Sequence, residues 1–184
     1  ENGTMWLLRT ETNEICVLAR DARELGGCPV TAPADHNGTL AVVGGKPAFI
    51  DSFTHELYTV EGGVLGEGRP LGVDLTPAAR PAVSDANGRL AILDRDRLHL
   101  VNTTSRTEPP PPVPLPPGNY STPVMSGDAV VVLDEDSGIV RTFDTDGREK
   151  PEKRFDDPRG GDDAGRPRVV LGEYNGHLYP TNTV

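Results

Sequence analysis

Cys16 and Cys28 are the only cysteines of the 184 residues and stand twelve apart, one in an apolar run and the other just past the turn pair Gly26-Gly27. A chain that doubles back at those glycines brings the two sulfurs together, and a disulfide suits an oxidising, exported setting. Two thiolates so spaced, with no second pair and no nearby histidine triad, do not make a metal site. Asp134-Glu135-Asp136-Ser137-Gly138 and Asp144-Thr145-Asp146-Gly147 superficially resemble calcium loops, in which alternate carboxylates aim at one centre. Each lacks the further acidic ligands downstream, and Asp with Gly is ordinary hairpin-corner chemistry. No metal is expected at either.

The other chemistry-bearing residues do not converge on a reaction. His36, His55, His99 and His177 fall at non-equivalent places, only His55 and His99 being near equivalent, one in a turn and one in a strand. There is no Gly-x-Ser-x-Gly elbow for a serine hydrolase. Gly62-Gly63 and Gly66-Glu67-Gly68 lack the strand-to-helix setting of a phosphate loop. No catalytic residue, cofactor residue or cofactor is assigned. The formal net charge of −10, with basic residues scattered singly, makes nucleic acid a poor partner.

The elements that would position any site recur along the chain. Leu7-Leu8 leads to Ile15-Cys16-Val17-Leu18, Phe49-Ile50-Asp51 to Leu57-Tyr58-Thr59-Val60, Ile92-Leu93-Asp94 to Leu98-His99-Leu100-Val101, and Val132-Leu133-Asp134 to Ile139-Val140-Arg141. The intervening turns start at Arg9, Asp51, Asp94 and Asp134, steps of 42, 43 and 40 residues. Short strands at this period predict an all-β chain of β-propeller blades, small antiparallel sheets that bury their faces only against their neighbours. About four repeats of roughly 40–48 residues are expected, with blade segments near 1–30, 31–78, 79–120, 121–164 and a partial 165–184, in one propeller region over 1–184.

Pro33, Pro81, Pro123 and Pro167, spaced 48, 42 and 44 apart, are read as the starts of the innermost strands, since proline is tolerated at a strand's first residue. Asn37-Gly38, Asn87-Gly88, Gly127-Asp128 and Asn175-Gly176 then mark the turns into the next strand. The chain starts and stops inside the same strand of the repeat, Asn2-Gly3-Thr4-Met5-Trp6-Leu7 matching Asn175-Gly176-His177-Leu178-Tyr179. The expectation is therefore part of a larger propeller, its ring completed by further blades or a partner chain, with Leu178 outside the sheet of Trp6.

The long connections are distinctive. Residues 104–122 hold Pro109 to Pro112, Pro114, Pro116 and Pro117, a stiff polyproline II segment read as a strap between adjacent blades. Asp156, Asp157, Asp162 and Asp163 lie among glycines in a segment read as a solvated loop. No stretch approaches twenty apolar residues, so direct membrane insertion is not expected.

Ser121 to Gly147 reads as apolar strand, Leu-Asp, turn with Gly, apolar strand and Asp-x-x-Gly. In this it resembles a blade of the bacterial PQQ-like, NHL and YVTN group of propellers. The tryptophan that usually follows the turn glycine in quinoproteins is replaced around Arg141 to Phe143, and no cofactor residue is carried over. Scarce lysine (Lys46, Lys150, Lys153) amid plentiful Arg, Ala, Gly, Pro and Asp resembles a high-GC bacterial composition such as an actinobacterium's. A weaker likeness is to exported actinobacterial proteins in which such a propeller precedes fibronectin type III modules. Of the four sequons, turn chemistry accounts for the Asn-Gly pairs at Asn2 and Asn37, and the bacterial composition argues against glycans at Asn102 and Asn119. The expected function is a non-enzymatic binding or scaffold domain, exported or at the cell surface, for a protein or glycan partner. The alternative is a propeller lyase or hydrolase with its site at the central channel.

Overall fold

The apolar runs become strands, and those through 48–51, 90–94 and 130–133 are buried on both faces. In the computed structural model the described residues are 5–18, 27–33, 36–151, 153–154, 168–174 and 177–183, with side chains described up to 151. Every named element among them is a strand. The first sheet holds β1 (Met5–Arg9), β2 (Glu14–Leu18) and β3 (Val30–Thr31). The second has β4 (Gly38–Val43), β5 (Lys46–Asp51) and β6 (Glu56–Glu61), with β7 (Val64–Leu65) and β8 (Arg69–Pro70) both paired to β6. The third runs β9 (Arg80–Pro81), β10 (Arg89–Asp94), β11 (Arg97–Asn102), β12 (Val113–Pro114). The fourth runs β13 (Val124–Ser126), β14 (Ala129–Asp134), β15 (Ile139–Asp144), β16 (Lys153–Arg154). Last come β17 (Arg168–Tyr174) and β18 (His177–Thr183), a separate pair that does not join the sheet of Trp6.

Strand alternation divides the core into layers between successive sheets. In β10, Leu90 and Ile92 pack with Ala48, Ile50 and Leu57 of the second sheet, while Ala91 and Leu93 pack with Val130, Val132 and Phe143 of the fourth. In β5, Phe49 turns the other way, onto Ile15 and Val30 of the first sheet. A period-2 strand with a sheet on either side has no solvent face, which is why these strands read as unbroken apolar runs. First strands of neighbouring sheets also meet. Val42 and Val83 form a parallel bridge, Ser84 donates its amide to the Val42 carbonyl at 2.8 Å, and its Oγ accepts from the Gly44 amide at 2.9 Å.

The expected Asp-bearing turns fall between β5 and β6, β10 and β11, and β14 and β15. Two expectations are corrected. Asn37-Gly38 does not make the second sheet's hairpin; it opens β4, and the hairpin is Gly44-Gly45, with φ of 57° and 75°. Gly38 answers a different need, because a Cβ there would lie 2.4 Å from the Ile50 carbonyl oxygen and 2.3 Å from the Phe49 ring. Pro33 consequently falls out of register, five residues before β4, whereas Pro81 lies in β9 and Pro123 directly precedes β13. The strand starts at 38, 80, 124 and 168 step by 42, 44 and 44, more evenly than the prolines. The proline-rich strap is also more than a connection, since Val113–Pro114 becomes the outer strand of the third sheet, an edge where proline's missing donor is tolerated. Pro167, Asn175-Gly176, the Asp156 to Gly165 segment and the Asn2 sequon lie outside the described residues.

Candidate functional site

The repeated aspartates show what the best-placed carboxylates do. Asp51, fully buried at the end of β5, accepts from the Phe53 and Thr54 amides at 2.8 and 3.2 Å and lies 2.6 Å from His36 Nδ1. Burial pushes the Asp51 pKa up, but the Phe53, His36 and Thr54 hydrogen bonds outweigh it and hold it below the ordinary aspartate value. Asp94, one repeat later, accepts from the Thr76 amide at 2.8 Å and its hydroxyl at 2.5 Å. Asp134 accepts from the Asp136 amide at 3.0 Å and the Ser137 hydroxyl at 2.5 Å. Asp51 thus closes its own turn and holds His36 in the connection entering its sheet, Asp94 clasps the connection entering the third sheet, and Asp134 closes its own turn. Asp144 likewise accepts from the Asp146 and Arg148 amides at 2.9 and 2.8 Å, so both calcium-like sequences spend carboxylate oxygens on their turns. No group of three or more His, Cys, Asp or Glu able to hold a metal occurs among the described residues. Cys16 and Cys28 are joined by a disulfide.

The connection 71–79, from β8 to β9, fills the layer between the second and third sheets with Leu71, Leu75 and Ala79. His55 holds it twice, accepting from the Leu71 amide at its carbonyl (3.0 Å) and from the Leu75 amide at Nδ1 (3.2 Å). His99, alternating with Leu98 and Leu100, faces the same layer as Val101, and its buried Nδ1 has no hydrogen-bond partner among the described residues. Burial is the largest influence on His99 and lowers its pKa.

Two large open concavities stand out among the described residues. A groove of about 880 Å³ runs between the second and third sheets, walled by 67–72 on one side and 102–109 on the other. The walls meet where Gly72, at φ 71°, comes so close to Pro109 that a Cβ would lie 2.8 Å from its ring. Thr103, Thr104, Ser105 and Thr107 line it with hydroxyls; Arg69, Arg106, Glu67 and Glu108 add charges of both signs that make no ion pair among the described residues. A second cavity, of about 830 Å³, lies beside the first strands of the third and fourth sheets, lined by 81–87 and 122–125. Its carboxylate, Asp85, is committed to the β9–β10 turn, accepting from the Asn87 and Arg89 amides at 2.9 and 2.8 Å and pairing with the Arg89 side chain. Burial raises the Asp85 pKa, yet the bonds from Arg89 and Asn87 leave it lowered.

The groove went unread in the sequence because 104–108 looked like the lead-in to the proline strap. The run Thr103-Thr104-Ser105-Arg106-Thr107, dense in hydroxyls beside a charge, was its one available signal.

No protein-family model matches the chain, and no curated protein matches it in sequence. Among solved structures it is similar to a streptogramin B lyase, with TM-score 0.64 and 16% identity over 98% of this chain and 59% of that one. The fold is a β-propeller. The chain is likewise similar to apo AztD from Citrobacter koseri (TM-score 0.64, 15% identity, 98% of this chain and 63% of that one). A third likeness is to BBS1N in its complex with ARL6DN (TM-score 0.53, 13% identity, 79% of this chain and 47% of that one). The chain spans about three fifths of the first two structures it matches. In propeller terms the groove is an inter-blade groove, and the second cavity lies on the side of the innermost strands.

Proposed function

We propose that this propeller is a non-enzymatic binding or scaffold domain, exported or displayed at a cell surface, that holds a protein or glycan partner in the groove between its second and third blades. The observation that carries the reading is the groove itself: a large open concavity in which Arg69, Arg106, Glu67 and Glu108 make no ion pair among the described residues, beside hydroxyls that are hydrogen-bonded along the wall. The carboxylates of Asp51, Asp94 and Asp85, by contrast, are occupied in clasping turns and connections. A catalytic group must be free to exchange protons or electrons with a substrate. The Cys16–Cys28 disulfide favours an oxidising compartment, and no helix among the described residues is long and apolar enough to cross a membrane.

The first sheet bears on how the ring is completed. Trp6 and Leu8 pack toward the second blade, while Met5 and Leu7 point to its other face, 55% and 37% exposed. Corresponding faces of the middle blades are covered, so a further blade or partner chain belongs against Met5 and Leu7.

The test is a comparison on glycan and peptide arrays of the parent and the double variant Arg69→Ala/Arg106→Ala. Both side chains are exposed, Arg69 on the two-residue edge strand β8 and Arg106 on a loop, so the two proteins should melt alike, while array signals fall at least tenfold in the variant. Equal signals would move the site elsewhere.

A further inference from the structure

We propose that the 71–75 stretch of the interblade connection is a proton-released strap: closed while His55 is neutral, and freed when His55 and then His99 take up protons. The Leu75 amide can donate to Nδ1 of His55 only if that nitrogen carries no proton, which places the neutral ring's hydrogen on Nε2. Nε2 lies 3.7 Å from Oδ1 of Asp74. Protonation at Nδ1 sets two N–H donors face to face and breaks the bond. His55 is moreover held at φ 58°, a left-handed conformation unfavourable for a residue with a Cβ, so its place depends on these contacts.

The charged groups around the pair act in both directions. Asp74 attracts an imidazolium at His55, but its side chain is fully exposed and the contact is long, so water screens it. Glu56 is the acidic chain neighbour of His55. Asp94 and Asp74 favour a charged His99, Arg97 opposes it, and burial, the largest influence, disfavours it. Leu71 and Leu75 seal the layer that His99 faces. Once Leu75 lifts, water reaches that layer and His99 protonates in turn, which makes release cooperative.

The sign follows from linkage. Burial lowers the His99 pKa in the closed state, so His99 favours the closed strap above its open-state value of about 6.5 and loses that preference as pH falls below it. Release is therefore an acid event, changing about tenfold per pH unit for each proton taken up. The strap supplies Leu71 and Gly72 to the groove wall. The consequence that acid loosens a bound partner rests on the function proposed above; the strap's behaviour does not.

Amide hydrogen exchange over residues 71–79, corrected for intrinsic rates, tests this on the chain alone between pH 7.5 and 5.5. Protection of the Leu71 and Leu75 amides is expected to fall tenfold or more across that range, while β14 stays constant. His55→Asn retains an acceptor and tolerates the left-handed conformation without titrating, so its strap should stay protected to pH 5.5. Unchanged protection in the parent, or the full acid loss in His55→Asn, would overturn the proposal. Should the variant not fold, 15N shifts of His55 in the parent decide: a proton on Nδ1 at pH 7.5 overturns it, and one on Nε2 supports it. Array binding is absent from this experiment, so failure of the groove reading leaves its outcome untouched.

Discussion

Replacing Asp51 by Ala removes the acceptor of the Phe53 and Thr54 amides and the partner of His36 in one step. Residues 53 and 54 are exposed, so water can take over both amides, at a loss of about 1 kcal/mol each. The His36 contact reaches a fully buried carboxylate, and losing a hydrogen bond to a charged group costs about 1.5 kcal/mol. The sum is about 3–4 kcal/mol, or a fall in Tm of roughly 6–15 °C for a chain of this size. Asp51→Asn keeps one acceptor oxygen for the turn and should lose only about 1–2 kcal/mol. The folded-state pKa of Asp51 lies below its unfolded value, so its contribution is present above about pH 4 and disappears as pH falls through the folded value. Urea unfolding of parent and Asp51→Ala at pH 7 and pH 3 reads both effects. A difference under about 0.5 kcal/mol at pH 7, within the range of ordinary surface substitutions, would refute the clasp. So would a deficit at pH 3 as large as at pH 7.

Other perturbations have equally definite outcomes. Reduction of the Cys16–Cys28 disulfide, which closes a short loop, should cost about 2–3 kcal/mol; denaturing, non-reducing thiol titration should find no free thiol, and two would contradict the bond. Gly38→Ala forces a Cβ against the Phe49 ring and the Ile50 carbonyl and should cost at least about 2 kcal/mol. Gly45→Ala meets open space and should cost only about 1 kcal/mol, from its positive φ. Chemical denaturation of the two variants checks that ordering, and its reversal would count against the register of β4 and β5.

The second and third strands of each blade were legible because they are packed on both sides and leave continuous apolar runs, as in Ile92-Leu93 and Val132-Leu133. The aspartate ending the second strand of the second, third and fourth sheets was legible too, although its reason was not. A carboxylate that clasps Thr76 from 18 residues away leaves no local pattern. The first strands were harder, since Arg80–Pro81 is too short to show alternation and proline spacing stood in for it. In the second blade two turn signals competed. Gly44-Gly45 won because Gly38 was required for the close approach to Phe49. The groove and the His55–Leu75 bond were invisible because each joins segments from different parts of the repeat that only packing brings together.

Binding in the inter-blade groove is the central claim, and amide exchange of the parent with and without its strongest array ligand tests it most directly. The account predicts ligand-induced protection over 67–72 and 102–109, with no change over 81–87 and 122–125. Protection confined to 81–87 and 122–125, beside the innermost strands, would contradict it and point to a site on the channel side.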